Sequence, residues 1–232
     1  MQVDVVATPE LAARQGALHL AEALRAGIRD RDRACLALSG GASPVPLFRE
    51  LAQLDLDWSA VHVFQVDERV VPRGDPARNL TTIEQVLVRE GPLPAERLHA
   101  MPVEADDLAA AAAAYGERLA EFAGTPIELD AIHLGLGADG HTASLFPGDA
   151  TTQVTDRSVV VTGEHAGYRR LTLTYPVLNA ARRVVWFAVG PGKAVVVQGL
   201  AAGTLKAPAG GVNRAMAVLV ADAAGGGALP TT

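Results

Sequence analysis

The stretch ACLALSGGASPVPLFREL, residues 34–51, lays out one unit of an α/β chain in a single run. ACLAL is apolar throughout, with no polar face. A strand of that kind must be covered on both sides, as strands of parallel sheets flanked by helices are. SGGAS then turns the chain, because glycine tolerates tight backbone geometry. Ser43 followed by Pro44 gives the cap-then-proline order of a helix start, ahead of PVPLFREL.

The same alternation extends in both directions. QVDVVA reads as a strand, Thr8 and Pro9 as a helix start, and Leu11, Leu18 and Leu24 as one apolar face that Gly27 closes. VHVFQV is a third strand, followed by the long loop DERVVPRGDPARN and a helix from Thr81 or Thr82. ADDLAAAAAAYGERLAEFA is a helix of strong formers with acids at its N-terminal end. LDAIHLGL, SVVVT, RLTLTY and RVVWFAV are strands, a helix runs from GPGKA to about Leu200, and AMAVLVA is the last strand before a glycine-rich tail expected to fray. The pattern predicts one domain over residues 1–232. Its fold class is α/β, a single doubly wound, mostly parallel sheet with helices on both faces, Rossmann-like but without a dinucleotide.

Composition narrows the function. The net charge of −6 argues against nucleic acid, which needs a basic face. No apolar run reaches a membrane span, and the start MQVDVVATPE lacks the basic and apolar regions of a signal peptide. Cys35 is the only cysteine, so no internal disulfide forms and a reducing cytoplasm is the expected location. Within ACLAL it reads as a buried structural thiol.

In doubly wound sheets, ligands bind at the carboxyl ends of strands. Four post-strand loops therefore matter. SGGASP, with Ser39, Gly40, Gly41 and Ser43, combines close backbone approach with a helix N-terminus and suits a phosphate. Asp67, Glu68 and Arg69 stand at a strand rim, either as solvated turn residues or as site residues. Lys193, one of only two lysines, opens a helix where a cation needs an anion to compensate it. Arg169 and Arg170 head a strand, and one of them could enter the site.

The fourth loop is GLGADGHTASLFPG, residues 135–148. It satisfies G-x-G-x-x-G, but Pro147-Gly148 interrupts the helix that a dinucleotide needs, and Asp139 would oppose a diphosphate. Asp139 and His141 instead have the residue types for acid–base work. They could supply two metal ligands, but no third stands at a recognisable spacing, so no metal is expected. The other histidines (19, 62, 99, 133 and 165) are scattered along the chain, and His133 reads as a strand residue. Neither a Walker A motif nor a G-x-S-x-G elbow is present.

Together, LSGGASP (38–44), VDERVVP (66–72) with Asn79, GLGADGHTASLFPG, RLTLTYPVLNAARRVVWFAVGPGKA (170–194) and a closing strand before DAA (222–224) resemble the 6-phosphogluconolactonase family. That family lies within the wider glucosamine-6-phosphate isomerase/deaminase superfamily. Leu145-Phe146-Pro147 stands where the deaminases typically carry an Asn-Glu-Pro run. The resemblance implies hydrolysis of 6-phospho-D-glucono-1,5-lactone, the second step of the oxidative pentose phosphate pathway, with no cofactor. It casts His141 as general base, Asp139 as a residue that holds or polarises the site, and Arg69 as support for the sugar or the developing oxyanion. Ser39, Gly40, Gly41, Ser43, Arg170 and Lys193 would surround the phosphate, and Asp67 would contact substrate. The expected partner is the phosphorylated sugar lactone alone, and the expected state a monomer or weak homo-oligomer. The alternatives are an amino-sugar-phosphate deaminase or isomerase, and a non-catalytic sugar-phosphate-binding module. Arg78 departs from the family, which commonly has serine there, and AAGTLKAPAGGVNRAM (201–216) matches it only loosely.

Overall fold

The computed structural model describes residues 1–231. Strand β1 (Gln2–Val6) leads into helix α1 (Pro9–Arg31), where the Thr8 side chain accepts from the Leu11 amide as its N-cap. Gly27 does not end this helix. It lies buried inside it, because a Cβ there would meet the Asp130 carboxyl carbon at 2.7 Å. Asp32, in the left-handed region, closes the helix instead, its amide donating to the Ile28 carbonyl. Next come β2 (Ala34–Leu38), α2 (Val45–Ala52) and β3 (Val61–Gln65). Pro44, not Ser43, holds the N-cap position of α2, with no side-chain cap bond, which leaves the Ser43 hydroxyl outside the helix's own bonding.

β4 (Asp67–Arg69) is a short strand where a loop was expected, and α3 (Asn79–Ile83) begins two residues before Thr81. The edge strand β5 (Leu98–His99) carries too little pattern to be seen in the sequence. α4 (Leu108–Ala123) is capped by Asp107, whose carboxylate accepts from the Ala109 and Ala110 amides. β6 (Ala131–Gly135), β7 (Val159–Val161), β8 (Arg170–Leu173), α5 (Tyr175–Ala180), β9 (Val184–Ala188), α6 (Ala194–Ala202), β10 (Ala217–Asp222) and α7 (Ala223–Gly226) complete the order. α7 corrects the expectation of a frayed tail: Asp222 caps it, and Gly225 and Gly226 are buried.

Among the described residues, seven strands form one parallel sheet in the order β1-β10-β9-β6-β2-β3-β5. The chain builds outward from β2 through β3 to β5, then returns to β6 on the other side of β2. Strand order therefore switches between β2 and β6, and their carboxyl ends define the expected ligand crevice. Helices α1 and α2 pack on one face, with Leu20, Leu24, Leu47 and Phe48 fully buried. Helices α4, α5 and α6 cover the other, around Trp186, Leu119, Leu178 and Leu200. Cys35 is buried under that second layer, and its thiol is pushed up to about 12 by burial and the nearby Asp130 carboxylate.

β7 and β8 do not join this sheet as expected. They pair antiparallel with β4 in a separate sheet ordered β4-β8-β7. The Arg69–Arg170 register of that small sheet brings two loops to the crevice. Among the described residues, no helix is long and apolar enough to cross a membrane.

Candidate active site

A cleft of about 220 Å³ opens at the switch between β2 and β6. Ser39, Gly40, Ser43 and Pro44 line one wall, and Gly135, Leu136, Gly137 and His141 another. Asp67, Arg69 and Asn79 form a third side, and Phe187, Val189 and Lys193 close it. Gly40 passes directly against Asn79, whose side-chain amide carbon would lie 2.6 Å from a Cβ at position 40. Glycine there is a packing requirement between two walls of the cleft. Lys193 reaches across from the turn before α6, its Nζ donating to the Leu136 carbonyl at 2.6 Å. Gly41 belongs to the same loop but does not line the cleft.

The loop after β6 is tied to itself. The Gly137 amide donates to the His141 carbonyl at 2.9 Å, and the Gly140 amide to the Gly137 carbonyl at 3.0 Å. Thr142 Oγ1 donates to the Gly135 carbonyl at 2.9 Å. A side chain at 137 would run into the His141 ring and sit 2.5 Å from an Asp139 oxygen, so Gly137 makes room for the pair. Asp139 Oδ1 lies 2.6 Å from His141 Nδ1 and accepts from the His141 amide at 3.1 Å. Burial works to raise the Asp139 carboxyl, but the bonds from His141 outweigh it and hold it below the ordinary carboxylate value. An ionised carboxylate only accepts, so Nδ1 donates to it, and in the neutral ring Nε2 then holds the lone pair.

The third wall is held from below. Glu68 is fully buried. Its Oε1 accepts from the Arg69 and Asn79 amides, both at 2.8 Å, and its Oε2 from the Leu80 amide at 2.8 Å and Gln65 Nε2 at 2.6 Å. Arg78, also buried, places its Nε 3.3 Å from Glu68 Oε2 and donates through Nη1 to the Val71 carbonyl at 2.8 Å. Glu68 is thus a structural anchor that fixes Arg69 and Asn79. Asn79 Nδ2 donates to the Asp67 carbonyl at 2.9 Å, and Ser144 Oγ to Asp67 Oδ2 at 2.5 Å. Burial pushes the Asp67 carboxyl up and Glu68 adds to this, against the Ser144 bond, Arg69 and Arg170.

Of the two candidate arginines, Arg169 is exposed and Arg170 is buried. The Arg170 guanidinium does not line the cleft. Its Nη1 donates to the His165 carbonyl at 2.8 Å, and it stands 5.0 Å over the Phe146 ring. Phe146 lies between two histidines, His141 at 4.7 Å and His165 at 4.1 Å. His165 pairs with Asp149 at 2.6 Å. Of the scattered histidines, His165 stacks on the Phe146 ring that also packs against His141, and His62 and His99 meet at 2.9 Å on β3 and β5. No group of three or more metal-ligating side chains occurs among the described residues.

The family model for glucosamine-6-phosphate isomerases/6-phosphogluconolactonase matches residues 7–220. The chain belongs to this family. It is 37% identical over 196 residues to a 6-phosphogluconolactonase of Synechocystis, covering 83% of this chain and 81% of that one. A 6-phosphogluconolactonase of Streptomyces coelicolor is 36% identical over 250 residues, covering 99% and 95%. Among solved structures, a 6-phosphogluconolactonase from Trypanosoma brucei superposes with a TM-score of 0.84 at 27% identity, covering 99% of this chain and 98% of that one. The fold expected from the family, a mostly parallel α/β sheet, is the fold observed.

A larger concavity lies elsewhere. A groove of about 550 Å³ between α4, β7 and α5 is walled mainly by alanines, valines and prolines and has no histidine or cysteine. The smaller cleft has the chemistry. One of its residues escapes a reading by motif: His133 sits in an apolar strand and gives no polar signal, whereas Asn79 is marked only through the resemblance.

Proposed function

We propose that the protein hydrolyses 6-phospho-D-glucono-1,5-lactone to 6-phosphogluconate. The observation that carries this reading is the His141–Asp139 bond, which leaves an imidazole lone pair in a cleft whose other walls suit an anion. The phosphoryl group sits on the Ser39–Ser43 loop beside Lys193, where backbone amides and a cation favour it. Its binding holds the lactone carbonyl toward His141.

His141 Nε2 takes a proton from water as the hydroxyl oxygen bonds to the lactone carbonyl carbon. Asp139 stabilises the imidazolium that forms. The negative charge that develops on the carbonyl oxygen falls to Arg69. Collapse breaks the bond from that carbon to the ring oxygen, and the imidazolium returns its proton to the departing oxygen. Arg69 and Arg170 stand opposite each other in the small sheet, so Arg170 adds positive field behind Arg69 although its guanidinium does not line the cleft. Arg170 acts here by reinforcing the field and backing Phe146.

The reaction is the second step of the oxidative pentose phosphate pathway. We place it in the cytoplasm, which suits the buried reduced Cys35, and carried out by a monomer or weak homo-oligomer. The test is a coupled assay with freshly made lactone, corrected for its spontaneous hydrolysis. Turnover well above that background is expected. Inertness toward the lactone with ammonia release from glucosamine 6-phosphate would overturn the reading, and so would tight binding of 6-phosphogluconate without turnover.

A further inference from the structure

Among the described residues, five buried side-chain nitrogen or oxygen atoms have no hydrogen-bond partner within the chain. Three of the five gather at one place: Ser39 Oγ and both ring nitrogens of His133. Of the others, Arg78 Nε already faces Glu68, and Trp58 does not line the cleft. Ser39 directly follows the last residue of β2, and His133, the central residue of β6, is its neighbour across the switch in strand order. His133 pairs in register with Leu38, and the Ser39 amide donates to its carbonyl at 3.2 Å. Both residues line the cleft, with Ser43 and Lys193 around them.

A purely structural role does not account for this imidazole. It packs edge-on to Phe48 at 5.6 Å and near Phe187 at 6.4 Å, surroundings that a leucine or phenylalanine would fill. Each buried polar group left unpaired forfeits its hydrogen bonds to water without replacement. Native folds keep such groups mostly where a ligand or an ordered water completes them. Burial drives the ring down to about 4, against a smaller pull from the Ser39 backbone, which approaches the ring without meeting hydrogen-bond geometry, so the ring is a neutral donor and acceptor near pH 7.

We propose that His133 is a substrate-binding residue that, with the Ser39 hydroxyl, forms the floor of the phosphoryl seat and donates a ring N–H to a phosphoryl oxygen. The inference rests on the placement of the phosphoryl group given above. It adds a neutral contact from the central strand to the loop amides and the lysine. Because a neutral donor holds its proton whether or not the ligand is present, the seat can form without a second buried cation.

The test compares wild type, His133→Leu and His133→Gln. Titration calorimetry with 6-phosphogluconate and with inorganic phosphate reads the seat, and thermal unfolding reads the fold. His133→Leu should weaken both ligands at least about 10-fold, the scale of one hydrogen bond to a charged group. Its Tm should stay level or rise, and KM for the lactone should rise by more than kcat falls. His133→Gln, which restores an N–H donor, should recover most of the affinity. Unchanged binding in His133→Leu overturns the proposal, and so does a Leu variant that fails to fold, because the imidazole must be dispensable for folding. If the wild type binds phosphate but does not turn over the lactone, the lactonase reading has failed and the phosphate titrations still decide this one. A wild type that binds neither ligand overturns it.

Discussion

Replacing Glu68 by Gln is the sharpest probe of the scaffold that holds the cleft's third wall. The amide keeps one oxygen to accept from the Arg69 and Asn79 amides. Its nitrogen then faces two donors, the Leu80 amide and Gln65 Nε2. Gln65 cannot turn to accept, because its own Oε1 already takes the Met101 amide at 2.8 Å. Each orphaned donor costs about 1–3 kcal/mol. Arg78 also loses its nearest anion. Breaking a buried pair costs about 3–5 kcal/mol, reduced here because Glu104 remains 3.4 Å away at the surface. These costs overlap, so a loss of about 4–6 kcal/mol is expected, a large share of the roughly 5–15 kcal/mol that holds a typical fold. At about 2–4 °C per kcal/mol for a chain of this size, Tm should fall by roughly 10–20 °C. Urea and thermal unfolding of the two proteins measure it. A Glu68→Gln variant within about 1 kcal/mol of wild type would refute the reasoning that Glu68 anchors this wall.

Three further outcomes follow from the site and the core. Asp139→Asn removes the charge that stabilises the His141 imidazolium. At about 4 Å that interaction is worth roughly 1 kcal/mol in water and 4 near a protein surface. Both groups are substantially exposed, so screening favours the lower part of the range, about 10–100-fold in kcat, and a loss under 3-fold would contradict the pairing. Lys193→Ala should raise KM for the lactone about 10-fold or more and weaken 6-phosphogluconate, with gluconate unaffected; equal effects on both acids would move the phosphoryl group elsewhere. Acid should destabilise the fold before its carboxylates titrate. Burial lowers His62, His99 and His133 to about 4, with Arg97 and Arg118 adding to the effect at His62 and His99. The unfolded chain binds protons that the native one refuses, so stability is full above about pH 6.5 and declines toward pH 4. Urea midpoints measured from pH 7.5 to 4.5 check this, and a flat profile would contradict it.

The fold was legible where a local cause acts alone. Thr8 and Pro9 start a helix by their own chemistry, and the uncharged runs 34–38 and 184–188 are buried strands of the parallel sheet. It was illegible where the cause lies across the fold. Gly27 resembles a stop signal, yet it is glycine because Asp130 lies against it. The strands at 159–161 and 170–173 look like members of the main sheet until Asp67–Arg69 claims them. The same division runs through the site. Asp139, His141, Ser39, Ser43, Arg69 and Lys193 carry turn and charge signals, and all but Asp139, which holds His141 from behind, line the cleft. Glu68 looks like a rim charge and is a buried anchor, whereas His133 looks like strand filling and borders the cleft. Arg170 is the buried one of the two adjacent arginines, of which one could have entered the site, but it spends its guanidinium on the 165–168 turn. No residue-by-residue reading distinguishes these cases, because each depends on what packs behind the side chain.

The central claim is that His141 activates water against a sugar lactone. Its most direct test is the turnover of freshly made 6-phosphogluconolactone by wild type and His141→Ala, each corrected for spontaneous hydrolysis and checked for an unchanged Tm. A fall in kcat/KM of at least about 100-fold, the lower end of what general-base catalysis contributes, is the predicted result. A folded His141→Ala variant with near-wild-type turnover would contradict it.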